Sequence, residues 1–149
     1  MQAPSALNRR NEADVRPEHS PKLRILVIDD DQDIQTIVGD RLTMMGFEAV
    51  HMTNGPAALA CLEHDGHQVP IHGVLLDLQE PLLGGLGVLK ELCRRHPRLP
   101  VIIMSEVTDL RLLREAVHMG AREYLVKPFD VELLRRKCHR VFLDQPDTR

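Results

Sequence analysis

Three aspartates, Asp29, Asp30 and Asp31, close the apolar run "KLRILVIDDD", and a fourth, Asp77, sits in a second run, "GVLLDL". Ser105 ends a third run, "VIIMS", and Lys127 follows a fourth, "EYLV". Like charges crowded at one end of an apolar segment repel unless a positive group sits among them or the side chains diverge. The same polar choice at four such ends points to one acidic pocket that needs a cation, with a hydroxyl and an amine beside it. A lone aspartate of this kind would be a helix cap or a turn residue.

The elements that must place these residues follow from periodicity. Apolar runs at "LRILVI", "FEAVHM", "GVLLDL", "LPVIIM" and "EYLV" alternate with segments of helical period. Ile34, Ile37, Val38, Leu42 and Met45 form a helical stripe that Gly46 closes. Asn54 and Pro56 open a second helix, Leu86 to His96 a third, and Thr108 or Asp109 a fourth that stops at Gly120. Asp130 caps a last helix over 131–142. Five βα units whose first, third and fourth strands are solidly apolar predict an α/β fold, a doubly wound parallel sheet covered on both faces. In such sheets sites form at the carboxyl ends of the strands, where the strand order switches.

Composition narrows the classes. The chain has 149 residues, 43% hydrophobic and 28% charged, which suits one domain, expected over 22–142. A polar, proline-bearing lead over 1–21 and a tail over 143–149 are expected to be disordered. A net charge of -3 gives no overall basic excess for nucleic acid. Cys61, Cys93 and Cys138 lack metal spacing and read as thiols in a reducing cytoplasm. No apolar stretch approaches the length of a membrane span, and the first residues lack the apolar middle of a signal peptide.

The motifs "LVIDDD", "LLDLQEP" with Gly85 beyond, "VIIMSE" and "YLVKPFD" together resemble the receiver domains of two-component response regulators over about residues 22–142. The resemblance implies a flavodoxin-like receiver fold of five parallel strands in the order 2-1-3-4-5. It implies Mg2+, with Mn2+ as a substitute, held by Asp30, Asp77 and the backbone carbonyl of Gln79, with Asp29 acting through a bound water. Asp31 falls outside the motif and is expected to cap the first helix. Asp77 would be the phosphoacceptor, taking a phosphoryl group from a sensor histidine kinase or phosphotransfer protein. Lys127 would pair with it, Ser105 would bind the phosphoryl oxygens, and Ser105 and Tyr124 would form the switch. The bond before Pro128 is expected to be cis. The implied activity is Mg2+-dependent autophosphotransfer and slow hydrolysis rather than conventional enzymatic turnover.

Some positions depart from the family pattern. Glu106 stands where a small residue is usual; it either restricts access to the site or points outward. Gln79 occupies a position that tunes hydrolysis, and Glu80 beside it adds a further negative charge. A phosphorylation-independent interaction module is the alternative that Glu106 favours. An aspartyl phosphohydrolase would need a second aspartate where Gln79 stands, and a flavin-binding protein would need a phosphate loop where "DDDQD" stands. Arginines 111, 114, 122, 135 and 136, interleaved with Glu115, Glu123 and Glu132, form a charged face that suits solvent or a phosphorylation-dependent homodimer. No effector pattern follows the last helix, so nucleic acid is expected only through a domain absent from this chain.

Overall fold

The computed structural model describes residues 22–65, 70–106 and 110–144. The expected leader over 1–21, the end of the tail over 145–149 and the Thr108 or Asp109 cap lie outside these residues. Five strands, β1 (Arg24–Ile28), β2 (Glu48–Met52), β3 (Gly73–Asp77), β4 (Val101–Ser105) and β5 (Glu123–Val126), alternate with helices α1 (Gln32–Met44), α2 (Gly55–Asp65), α3 (Gly85–Arg95), α4 (Leu110–Met119) and α5 (Val131–Cys138). All four strand pairings are parallel, and the order is β2-β1-β3-β4-β5. This is the doubly wound fold expected, with β1 and β3 as neighbours at the switch in strand order.

Period-two alternation explains the unbroken apolar runs. Leu26, Ile28, Val74, Leu76, Val101 and Ile103 share one core with residues of α2, α3 and α4, such as Leu62, Leu89 and Leu113. Ile25, Val27, Leu75, Ile102 and Met104 point the other way, into a core with Val38 and Leu42 of α1 and Leu134 and Cys138 of α5. The central strands are buried on both faces, so neither alternate position tolerates a polar side chain. β2, at one edge of the sheet, is only half-buried, which accounts for its weaker pattern.

Helix boundaries follow local chemistry. Asp31 caps α1 by accepting from the Asp33 and Ile34 amides at 2.8 and 3.3 Å. Asn54 accepts from the Ala57 amide at 2.8 Å, and Asp130 from that of Glu132 at 2.9 Å. Gly46 and Gly120 end their helices at φ of 91° and 129°, a region closed to most side chains. The helix expected as α through Phe142 instead changes to a π turn over His139–Leu143, closed by the Asp144 amide on the His139 carbonyl at 3.1 Å. Such wide turns occur at helix ends. Leu143 and Asp144, placed in the tail by the sequence, thus belong to this turn. Among the described residues no helix is long and apolar enough to cross a membrane.

The π turn sets Phe142 edge-on to Phe47, with ring centroids 6.0 Å apart, and lays it across Gly73. A Cβ at position 73 would stand 2.4 Å from the Phe142 ring and 3.1 Å from Ile25. Gly73→Ala is therefore expected to cost about 1–3 kcal/mol of stability through overpacking. The cost should shrink in a Phe142→Leu background, and urea denaturation of the four proteins in this cycle measures the coupling. Equal costs in both backgrounds would show that the ring is not the obstacle.

Candidate functional site

Carrying the strand alternation one residue past β1 and β5 puts Asp29 and Lys127 on the side of the sheet shared with Asp77, the side of α1 and α5. Ladder hydrogen bonds continue there: the Asp29 amide donates to Met52, that of Leu78 to Met104, and that of Lys127 to Ser105. The three side chains converge for this reason. Lys127 Nζ donates to Asp29 Oδ2 at 2.7 Å and lies 3.5 Å from Asp77 Oδ1. Asp29 and Asp77 are buried, and Asp30 is exposed at the rim. The carboxylate oxygens of Asp29, Asp30 and Asp77 reach within 4.8 Å of one another.

The positive group that the acidic run requires is thus partly Lys127. The family resemblance implies that this lysine pairs with Asp77, whereas its shorter contact is to Asp29. Asp77 Oδ1 is also taken by the Gln79 amide at 3.1 Å, while Asp29 Oδ2 faces the ammonium directly. Asp29 Oδ1 is held by the Asp31 amide at 2.9 Å. Three carboxylates around one ammonium leave two negative charges, which together with an all-oxygen donor set fit a hard divalent cation.

Protonation follows from these surroundings. Burial pushes the Asp77 carboxyl above the ordinary aspartate value; the Gln79 amide and Lys127 oppose this and the Asp29 charge adds to it. Burial works against the Lys127 charge, but its bond to Asp29 and the nearby Asp77 outweigh that and hold it above an ordinary lysine. The bond between Lys127 and Pro128 is cis, as the sequence motif implies.

The remaining residues singled out in the sequence are less closely joined. Ser105 is fully buried at the end of β4, one residue beyond Met104, the ladder partner of Asp77. Gln79 is exposed beside Asp77, and Glu106 is exposed just past Ser105. Tyr124 lies on β5 opposite Ile103 with its ring turned outward, 4.8 Å beneath the Lys137 ammonium. On the same face Glu123 pairs with Lys137 at 3.0 Å and Arg140 at 2.7 Å, and Glu132 pairs with Arg135.

Two residues take parts that sequence reading did not give them. Gln35, one turn into α1, donates to the carbonyls of Asp29 and Met52 at 2.7 and 3.2 Å and ties the ends of β1 and β2 together. No local spacing marks it, because one of its acceptors lies 17 residues on, at Met52. Glu80, expected as one more negative charge near Asp77, is turned away from it. It is 4% exposed, and its carboxylate accepts the amides of Gly55, Leu82, Leu83 and Gly84. Burial alone would raise its pKa; the four amides outweigh burial and leave it below an ordinary glutamate. Gly84, at φ 79°, turns the chain into α3, and Gly85 packs so closely on Leu78 that a Cβ would stand 2.3 Å from its Cα.

A carboxyl whose pKa is raised by folding carries a penalty above its folded pKa and none below the unfolded value. Asp77→Asn removes that penalty. In chelator at pH 7 this variant is expected to melt above the parent chain. The gain should fade as pH falls through the folded pKa of Asp77 and vanish below about 3.9, where both states are protonated. Thermal melts across pH test this, and a gain that persists in acid would contradict it.

The response regulator receiver domain model matches residues 25–139. Over 108 residues the chain is 37% identical to the DNA-binding transcriptional regulator NtrC of Salmonella typhimurium, covering 72% of this chain and 22% of that protein. The receiver domain of NtrX from Brucella abortus superposes with a TM-score of 0.73 at 31% identity, over 82% of this chain and 99% of that one. The BeF3-activated DrrB receiver domain, from Thermotoga maritima, gives 0.73 at 26% identity, over 84% of this chain and all of that one. The chain spans 22% to 48% of the length of such curated relatives. With motif, topology and likeness in agreement, the chain belongs to the family of response regulator receiver domains.

Proposed function

We propose that this chain takes a phosphoryl group onto Asp77 from the phosphohistidine of a sensor kinase or phosphotransfer protein, and that Mg2+ supports the reaction. The observation that carries this reading is the convergence of Asp29, Asp30, Asp77 and Lys127 at the switch in strand order. Asp30, Asp77 and the Gln79 carbonyl would hold the ion, with Asp29 reaching it through water. Once bound, the ion supplies neutralisation of charge on the phosphoryl oxygens.

The chain's own residues do the rest. The free Asp77 Oδ2 attacks phosphorus as the bond to the histidine nitrogen breaks, and the leaving imidazole takes a proton. Gln79 and Lys127 fix Asp77 through Oδ1, which leaves Oδ2 for the attack. The raised pKa of Asp77 is offset when cationic charge gathers at the site, so the reactive carboxylate form is restored. Lys127 offsets charge on the transferred group, and the Ser105 hydroxyl donates to one of its oxygens.

Ser105 and Tyr124 would then carry the signal to the face of α4, β5 and α5, where a phosphorylation-dependent homodimer would form. Nucleic acid, on this reading, is met only through an effector domain outside these 149 residues.

Intact mass after incubation with acetyl phosphate tests the proposal. One phosphoryl group is expected in Mg2+, none in chelator and none in Asp77→Asn. Absence of any adduct in the parent chain would favour the phosphorylation-independent module. Glu106 is exposed one residue past Ser105; on the reading that its charge lies beside the donor's path, Glu106→Ala should speed labelling severalfold at low ionic strength, and less in salt. An unchanged rate would mean that Glu106 points outward without effect.

A further inference from the structure

Glu80 is a buried charge that the phosphotransfer reading does not use. Among the described residues its carboxylate meets backbone amides alone. Oε1 accepts three successive donors, Leu82 at 3.1 Å, Leu83 at 2.6 Å and Gly84 at 2.9 Å. Oε2 accepts the Gly55 amide at 2.7 Å, at the first residue of α2, where helix amides carry partial positive charge. Four amide donors, three on Oε1 and one on Oε2, surround the carboxylate, which is how a buried anion without a cation is accommodated. One side chain thus winds the loop after β3 around itself and fastens it to the start of α2.

That loop leaves Asp77 directly. The Glu80 amide donates to the Asp77 carbonyl at 3.2 Å, and the Gln79 amide to Asp77 Oδ1 at 3.1 Å. The Gly84 amide also returns to the Glu80 carbonyl at 3.2 Å, and that of Gly85 to Leu78 at 2.9 Å. The peptide between Gln79 and Glu80 is held by the Glu80 amide on the Asp77 carbonyl, and the loop that follows it is held by the four hydrogen bonds to the Glu80 carboxylate. A hard cation with strict octahedral demands gains most from a carbonyl held still in advance.

We propose that Glu80 is a positioning residue for the divalent-cation site: by clamping the 79–84 loop to α2, it pre-aims the Gln79 carbonyl. This rests on the metal site proposed above. Groups that orient metal ligands from behind typically change affinity by 10–100-fold when removed. Glu80→Gln sets an amide NH2 against one of its amide donors, and Glu80→Met removes both acceptors. Leu134→Ala, in the core on the α1/α5 side of the sheet, supplies a destabilised control away from the loop.

Isothermal titration of each full chain with MgCl2 tests the proposal, paired with phosphorylation by acetyl phosphate at saturating Mg2+. Glu80→Gln is expected to weaken Mg2+ binding about tenfold or more while the labelling rate recovers at saturation. Leu134→Ala should bind as the parent does despite its lower melting temperature. Coupling is reciprocal, so in the parent chain Mg2+ should slow hydrogen exchange at the Gly55, Leu83 and Gly84 amides, a readout that holds even where neither Glu80 variant folds. A parent chain that binds no Mg2+ sinks the metal site itself. Parent binding with an unchanged Glu80→Gln titration, or with unchanged amide exchange, overturns only the role given to Glu80.

Discussion

The contact on which the site depends joins residues 98 positions apart: the Lys127 ammonium against Asp29, with Asp77 just beyond. Lys127 follows β5 and Asp29 follows β1, two strands separated in the sheet by β3 and β4. Only a parallel sheet brings all their carboxyl ends to one edge, and only a long side chain then bridges the gap across the end of β3. Both partners are almost wholly buried, so the attraction is far less screened than at a surface, and so is the cost of leaving either alone. The lysine compensates one charge of three. The unbalanced remainder is what makes the edge a site rather than a structural ion pair.

Asp77 and Glu80 stand three residues apart, both buried, and are treated in opposite ways. Asp77 receives one backbone amide and a share of Lys127, too little to offset burial and the neighbouring Asp29, so its carboxyl is pushed up. Glu80 receives four amides, and its carboxyl is drawn down. The first arrangement leaves an oxygen and unspent charge for chemistry. The second engages both oxygens with backbone amides. One short loop therefore holds a reactive carboxylate and a structural one, distinguished by the number of donors supplied to each.

On the face of β5 and α5, charge is spent internally. Glu123 takes both Lys137 and Arg140, and Lys137 also caps the Tyr124 ring and donates to the Tyr124 carbonyl. Pairs at or near the surface contribute little to stability one by one. Their effect here is geometric: they tie the last helix to the edge strand and set the outward position of the one tyrosine. The pattern of arginine and glutamate that reads as an open charged face is, in part, a set of closed pairs.

The sequence by itself determined what depends on near neighbours. Strands and helices follow from the period of apolar residues, and Asp31, Asn54 and Asp130 could be read as caps because a cap bonds amides two or three positions ahead. The motif residues Asp29, Asp30, Asp77, Ser105 and Lys127 were legible as well, since each sits where an apolar run stops. Tertiary structure decided which oxygen faces which donor. Lys127 bonds Asp29, 98 positions earlier, at 2.7 Å and stands 3.5 Å from Asp77. Glu80 turns from the site because an amide 25 positions earlier, at Gly55, completes its set of donors. The final helix widens into a π turn where Phe142 comes to lie across Gly73 of β3. Hydrogen-bond partners and packing gaps of this kind exist only after distant segments meet, so no local pattern records them.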